Sequence, residues 1–173
     1  MFKHLLVATD GSELGNKALD AALTIAKAHG SKLTVLTSTD PISTGLGAGG
    51  MGTIDTGTIW ASLEEAHAEQ ARNVLDAARQ KAAAADVEIN AIHLPQQHPA
   101  EGIIRAVEEL GSDTIVMGSH GRRGLERVIL GSPANEVLTR SKVPVLVIKE
   151  ASSPTACSRS LRDSGQDQMF LAQ

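Results

Sequence analysis

Short apolar runs alternate along this chain with longer stretches whose apolar residues recur at helical spacing. Leu5-Leu6-Val7-Ala8 is continuously apolar and ends at Thr9-Asp10-Gly11-Ser12, which predicts a buried strand running into a turn. Ser12 is a favourable helix N-cap and Glu13 sits in the first turn. Ala18, Leu19, Ala22, Leu23, Ile25 and Ala26 follow at helical spacing, and Gly30 is the expected stop. Leu33 to Thr37 predicts a second strand. Pro41 to Ile59 is rich in Gly and Thr without a sustained 3.6 period and predicts a long mobile loop. From Trp60 to Ala85 the spacing is helical again, with Leu63, Ala66, Ala71, Val74, Leu75, Ala78 and Ala82 on one face.

Val87 to Leu94 predicts a third strand. His98-Pro99 opens a helix, because proline is favoured at the first helical position. Ile103, Ile104, Val107 and Leu110 form its inner face, and Gly111 ends it. Thr114-Ile115-Val116-Met117 is a fourth strand, Ser132-Pro133 starts a further helix, and Val143 to Ile148 is a fifth strand. Apolar strands separated by amphipathic helices imply a parallel sheet covered on both faces, an α/β domain over residues 1–150. Residues 151–173 are polar, lose the periodicity, and are expected to form a disordered tail.

Composition changes this picture at three points. The chain has 173 residues, 42% hydrophobic and 21% charged, which suits one globular domain with a tail. Aromatic residues make up 2% and there is no Tyr, which argues against base stacking on aromatic platforms. The net charge of −4 lacks the basic field of a nucleic-acid or membrane-surface binder, so any polyanionic ligand needs local donors. One cysteine, Cys157, leaves no intrachain disulfide framework. No run approaches the ~20 apolar residues of a membrane span, and the first apolar run is short for a signal peptide. The expected compartment is the cytoplasm, with no nucleic-acid or membrane partner.

Ligands of open α/β sheets bind at the carboxyl ends of strands, near the point where strand order reverses. Two strand ends carry suggestive residues: Thr9 to Ser12, and Gly118-Ser119-His120-Gly121-Arg122-Arg123-Gly124 followed by Gly131-Ser132-Pro133. Glycines after a strand permit positive φ and close backbone approach. Successive N–H groups form anion nests, and a helix capped by Ser132 would add partial positive charge. This segment reads either as a phosphate site, with Arg122 and Arg123 nearby, or as two ordinary glycine turns. Asp10 is either a turn former or a metal or ribose partner. His120 is a site-lining residue; His93 and His98 lack zinc-type spacing and read as surface or capping residues. Gly45 to Gly50 matches G-x-G-x-x-G but neither follows a strand directly nor opens a helix, so it reads as a loop. There is no G-x-x-x-x-G-K-[ST] motif. Trp60 reads as a packing residue. The apolar fifth strand is either central or an edge hidden by a partner.

Gly118, Gly121, Gly131 and Ser132 together match G-x2-G-x9-G-[ST], and with the opening Lys3 to Ser12 they resemble the ATP-binding subgroup of the universal stress protein family. The resemblance covers residues 1–150. It implies a three-layer, open five-stranded parallel sheet with helices on both faces, of the adenine nucleotide α-hydrolase-like, Rossmann-like type. It also implies ATP as ligand and a homodimer formed through strand 143–148. Carried onto this chain, the nucleotide would touch Ala8, Thr9 and Asp10, then Ser38, then Met117, Gly118, Ser119, His120, Gly121, Arg122 and Arg123, and lastly Gly131, Ser132, Pro133 and Ala134. The glycines and Ser132 would hold phosphates and ribose, Thr9 and Ser38 would border the adenine, and Asp10 would lie near a Mg²⁺. Ser38 departs from the aliphatic residue usual there. Pro133 also departs from many members and offers one N–H fewer. The implied function is a nucleotide-dependent regulator in stress responses. Alternatives are a slow ATPase or adenylyl-transferring enzyme, and a non-catalytic dimeric adaptor with a degenerate site.

Overall fold

The computed structural model describes residues 1–41, 56–121 and 130–150. Its elements run β1 (His4–Ala8), α1 (Glu13–His29), β2 (Lys32–Ser38), α2 (Thr56–Ala84), β3 (Ile89–Leu94), α3 (Pro99–Leu110), β4 (Thr114–Gly118), α4 (Ser132–Arg140) and β5 (Val145–Ile148). The five strands form one parallel sheet in the order β3-β2-β1-β4-β5. This is the α/β architecture expected from the alternation of patterns. Parallel strands need crossover connections, and here the helices that supply them cover both faces of the sheet.

Two cores result. Leu5, Val7, Val35 and Val116 pack against Leu19, Ala22 and Leu23 of α1 and Leu75, Ala78 and Ala82 of α2. On the opposite face, Leu6, Leu36, Ile115 and Met117 pack against Ile103 and Val107 of α3 and Ala134 and Val137 of α4. β1 lies at the centre, and Leu5, Leu6 and Val7 are fully buried on its two faces. That is why its apolar run is continuous rather than alternating.

The helix signals at α1 and α3 operate as expected. The Ser12 hydroxyl accepts the Gly15 N–H at 3.1 Å, and Gly30 ends α1 in the left-handed region at φ 64°. α3 begins at Pro99 after an extended His98 and stops at Gly111, also at φ 64°. Boundaries elsewhere shift for local reasons. Val87 belongs to the turn that ends α2, where its N–H bonds Ala82 at 2.9 Å, so β3 starts at Ile89. β5 starts at Val145, because Pro144 has no N–H to donate, although its carbonyl still accepts the Ile115 N–H at 2.9 Å.

Two expectations are corrected. Helix α2 begins at Thr56, so part of the segment read as loop is helical. Thr56, Gly57 and Thr58 have weak helix propensity, but extending an existing helix costs far less than nucleating one. The remainder of that loop, residues 42–55, lies outside the described residues, as does the tail from 151. The second correction concerns the inner face of α2. Ala71, Leu75, Ala78 and Ala82 are buried, but Leu63 is 42% exposed and Ala66 is also exposed. Among the described residues these first positions of the apolar stripe are not covered.

At the amino end of the sheet, Asp113 ties the crossover to the start of the chain. Its carboxylate accepts the Lys3 N–H at 2.8 Å and the Thr114 hydroxyl at 3.0 Å. The Lys3 N–H holds the Asp113 carboxyl below the usual carboxylate range, against the opposing effect of partial burial. A depressed pKa stabilises the fold above the unfolded value of about 3.9, and the gain disappears as pH falls through the folded value. Asp113→Asn should therefore lower the denaturation midpoint at pH 7, and thermal melts should show the gap to the wild type closing below about pH 4. Ser12→Ala removes a capping acceptor and should cost about 1 kcal/mol in urea denaturation.

Candidate functional site

The order β3-β2-β1-β4-β5 reverses between β1 and β4. After β1 the chain goes to β2 on one side; after β3 it crosses to β4 on the other. The loops leaving β1 and β4 therefore diverge and open a crevice at the carboxyl ends of these strands. A cleft of about 630 Å³ lies there, lined from β1 by Asp10, from the end of β2 by Thr37, Ser38, Thr39 and Asp40, and from α2 by His67, Gln70, Ala71 and Val74. His98, Pro99 and Ala100 line it from the start of α3, His120 and Gly121 from the end of β4, and Gly131, Ser132, Pro133 and Glu136 from α4 and its cap. A narrower slot of about 130 Å³ shares Asp10, Ser38, Pro99, His120, Gly121 and Pro133 with the cleft, so the two are continuous. Ala8, Leu36, Ile103, Met117 and Ala134 make the slot largely apolar, with Thr9, Gly15 and Gly118 completing it.

Asp10 has the turn-forming role read for it from the sequence, and its side chain is also placed in the cleft. Its Oδ1 accepts the Ser12 N–H at 3.0 Å, which makes it a turn former. The same side chain lines the cleft. The turn is stiffened by the Thr9 hydroxyl, which accepts the Gly11 N–H at 3.2 Å, and by Gly11 itself at φ 78°. Two glycines leave room for the carboxylate. A Cβ on Gly121 would lie 2.6 Å from Asp10 Oδ2, and one on Gly15 would lie 2.9 Å from Oδ1 and 2.7 Å from Thr9 Oγ1.

The glycine segment departs from expectation in two ways. Gly118, Gly121 and Gly131 are not in the positive-φ region. They are needed for close approach instead: a Cβ on Gly118 would meet Leu14 Cβ at 3.1 Å, and one on Gly131 would meet the Ser119 carbonyl oxygen at 3.2 Å. Ser132 is not the cap of α4. Gly131 is the capping residue, in extended conformation, and its carbonyl accepts the Asn135 N–H at 2.9 Å, so the cap lies one residue before the expected one. Ser132 becomes the first helical residue, exposed at the rim of the cleft. Its N–H and that of Ala134 are among those the helix geometry leaves without an intrahelical acceptor.

Ser119 lines neither cavity. It is buried, and its backbone joins two elements: its N–H bonds the Ile148 carbonyl at 2.8 Å and its carbonyl accepts the Gly131 N–H at 2.7 Å. The Gly131 and Ser119 amides are thus already engaged. The Ser119 hydroxyl also lies 3.2 Å from His120 Nδ1. Arg122 and Arg123 lie outside the described residues. The other candidates (Ala8, Thr9, Asp10, Ser38, Met117, Gly118, His120, Gly121, Gly131, Ser132, Pro133 and Ala134) converge on the cleft and its slot.

Sequence reasoning missed His67 and Gln70 of α2, Thr37 in β2 with Thr39 and Asp40 after it, Glu136 of α4, and the start of α3. The strand-end rule applied to β2 and β3 would have reached Thr39, Asp40 and His98. His67 carried no signal, because it lies on the half of α2 whose neighbours the periodicity misplaced. Behind it stands His93, whose Nε2 lies 3.1 Å from Thr39 Oγ1. Burial, and secondarily the nearby His67, hold the His93 imidazole below its ordinary pKa. Among the described residues no group of three or more His, Cys, Asp or Glu side chains is arranged to hold a metal ion. No described helix is long and apolar enough to cross a membrane.

Comparison with known proteins agrees with this architecture. The model of the universal stress protein family matches residues 1–149. A universal stress protein of Bacillus subtilis is 33% identical over 157 residues, covering 86% of this chain and all of the relative. Among solved structures, a Methanocaldococcus jannaschii protein whose biochemical function was assigned from its structure superposes with a TM-score of 0.74 at 27% identity, over 88% of this chain and 99% of that one. A universal stress protein solved in complex with cAMP superposes with a TM-score of 0.63 at 25% identity, over 84% of this chain and 96% of the other. This chain belongs to the universal stress protein family.

Proposed function

We propose that this protein binds an adenine nucleotide, ATP by the motif it carries, and acts as a nucleotide-dependent regulator in stress responses. The observation that carries the reading is the apolar slot opening into a wider cleft where the sheet order reverses, lined by Gly118, Gly121, Gly131 and Ser132 of the G-x2-G-x9-G-[ST] pattern. The base fits the slot, among Leu36, Ile103, Met117 and Ala134, with Ser38 at its mouth. Among the described residues neither Phe2 nor Trp60 lines it, and the base is held chiefly by aliphatic contact and backbone. The phosphates then extend into the cleft, toward the start of α4, where the Ser132 and Ala134 amides and the positive end of the helix dipole favour negative charge. Pro133 supplies no donor there.

A Mg²⁺ would arrive with the nucleotide. The chain offers Asp10 as one carboxylate, which suits an ion bound mainly by phosphate oxygens and water. Bound in this way, the ion would neutralise phosphate charge. A second reading is a mononucleotide ligand such as cAMP or AMP. It is favoured by the relative solved with cAMP.

A homodimer formed through β5 is part of the proposal. Among the described residues β5 pairs only with β4 and leaves its other edge open, and Leu146 is 36% exposed. An apolar edge strand of this kind is stabilised by pairing with a second copy.

Two measurements test the reading. Calorimetry with ATP, AMP and cAMP should show saturable binding by the wild type. Gly121→Val, whose side chain displaces the Asp10 carboxylate, should abolish it while leaving the melting transition cooperative. Wild-type protein that binds none of the three overturns the reading. For the dimer, sedimentation should show the wild type as a dimer and Leu146→Lys as a monomer.

A further inference from the structure

Two hydroxyls line the apolar slot, those of Thr9 and Ser38. The Thr9 oxygen is engaged by the Gly11 N–H at 3.2 Å. Other polar side chains of the slot are engaged as well. Asp10 Oδ1 accepts the Ser12 N–H at 3.0 Å, and His120 Nδ1 lies 3.2 Å from the Ser119 hydroxyl. Ser38 differs: among the described residues its hydroxyl has no hydrogen-bond partner. Nor is it sealed inside the core, because the sealed and unpartnered side-chain oxygen among the described residues is that of Ser112. A half-buried hydroxyl with unused hydrogen-bonding capacity therefore opens on the slot.

The position of Ser38 is set by backbone. It is the last residue of β2 and pairs in register with Leu94 of β3. Thr39, the next residue, is held at both of its backbone groups. Its N–H bonds the Leu94 carbonyl at 3.1 Å, and its carbonyl accepts the Gln97 N–H at 3.0 Å. Side chains two apart on a strand share a face. Leu36 also lines the slot, so Ser38 stands on the same wall, one pleat nearer the carboxyl end of the sheet.

The sheet order decides which part of a nucleotide meets this wall. β2 and β4 flank β1 on opposite sides, and α4 follows β4. Phosphates at the start of α4 put the sugar toward the β4 side and turn the base toward β2. In a purine, the nitrogen that carries the sugar and the carbon that carries the 6-substituent lie at opposite ends of the ring system. The 6-edge is thus the one that reaches Ser38. In an apolar slot that edge loses its water, and a polar group left there without a partner costs more than a hydrogen bond ordinarily contributes.

We propose that Ser38 selects the base: its hydroxyl accepts a hydrogen bond from the exocyclic 6-amino group of adenine. This rests on the nucleotide reading above and deepens it, by assigning the choice of base to one side chain. The aliphatic walls accept a flat ring whatever it carries at position 6. Ser38 favours the ring with a hydrogen-bonding group there, because a site built around such a bond rejects the ligand that lacks the group.

The test is calorimetry on the full chain with ATP and with AMP. Each is measured beside a counterpart with hydrogen in place of the 6-amino group, and beside a counterpart without the 2′-hydroxyl. The proteins are the wild type and Ser38→Ala, which removes only the hydroxyl, and a thermal melt checks that both are folded. The wild type should bind the adenine ligands about three- to tenfold more tightly than their 6-hydrogen counterparts, and Ser38→Ala should lose that preference. Ser38→Ala should weaken the 2′-deoxy ligands as much as the ribose ones. Wild type that binds adenine and 6-hydrogen ligands alike overturns this inference and leaves the nucleotide reading standing. So does a preference that survives in Ser38→Ala. An effect of Ser38→Ala that disappears with the 2′-deoxy ligands assigns the hydroxyl to the sugar and overturns the inference in the same way. Wild type that binds none of the ligands overturns both readings.

Discussion

The carboxylate of Asp10 is packed against two backbones that carry no side chains, and the carboxyl end of the sheet is organised around that fit. Gly121 leaves room beside Oδ2 and Gly15 beside Oδ1, and a methyl group on either would lie within 3 Å of a carboxylate oxygen. The turn after β1 can therefore be tight enough for Ser12 to cap α1 while Asp10 still faces the cleft. Glycine inside a helix ordinarily costs about 1 kcal/mol relative to alanine. At Gly15 that cost is accepted because the space is already occupied by Thr9 Oγ1 and Asp10. One steric constraint thus couples the first helix, the turn and the β4 loop.

A second coupling holds the far side of the cleft. Ser119 bonds Ile148 through its N–H and Gly131 through its carbonyl, so the end of β5 and the start of α4 are both referenced to the same residue. The position of the α4 N-terminus is therefore set by the sheet rather than by a side-chain cap, and no side-chain cap bond is found there. This frees Ser132 to sit at the rim.

Much of this was legible in the residues. The runs at Leu5 and Ile115 are apolar on both faces because both strands are covered on both faces. The stops at Gly30 and Gly111 are legible because only glycine enters the left-handed region cheaply there. Most of the candidate site follows from the strand-end rule and a glycine spacing. What escaped has physical causes. Leu63 and Ala66 fit the helical stripe, but periodicity reports which residues share a face and not which of them are covered. Ser132 has the chemistry of a cap, yet the helix start is decided by a backbone bond from Asn135 to Gly131 that no side-chain preference encodes. His67 reaches the cleft through tertiary packing alone.

The place of β1 in the sheet has a consequence for synthesis of the chain. β1 pairs with β2 within some thirty residues, but its other edge waits for β4: Lys3 and Asp113 are 110 positions apart. At roughly 5–20 residues per second, that edge stays open on the ribosome for on the order of 5–20 s while most of the rest of the sheet can already assemble. During that interval the central strand of the sheet presents an unpaired ladder. The strand at the centre of the finished sheet is thus the one that leaves the nascent chain in need of protection from its neighbours.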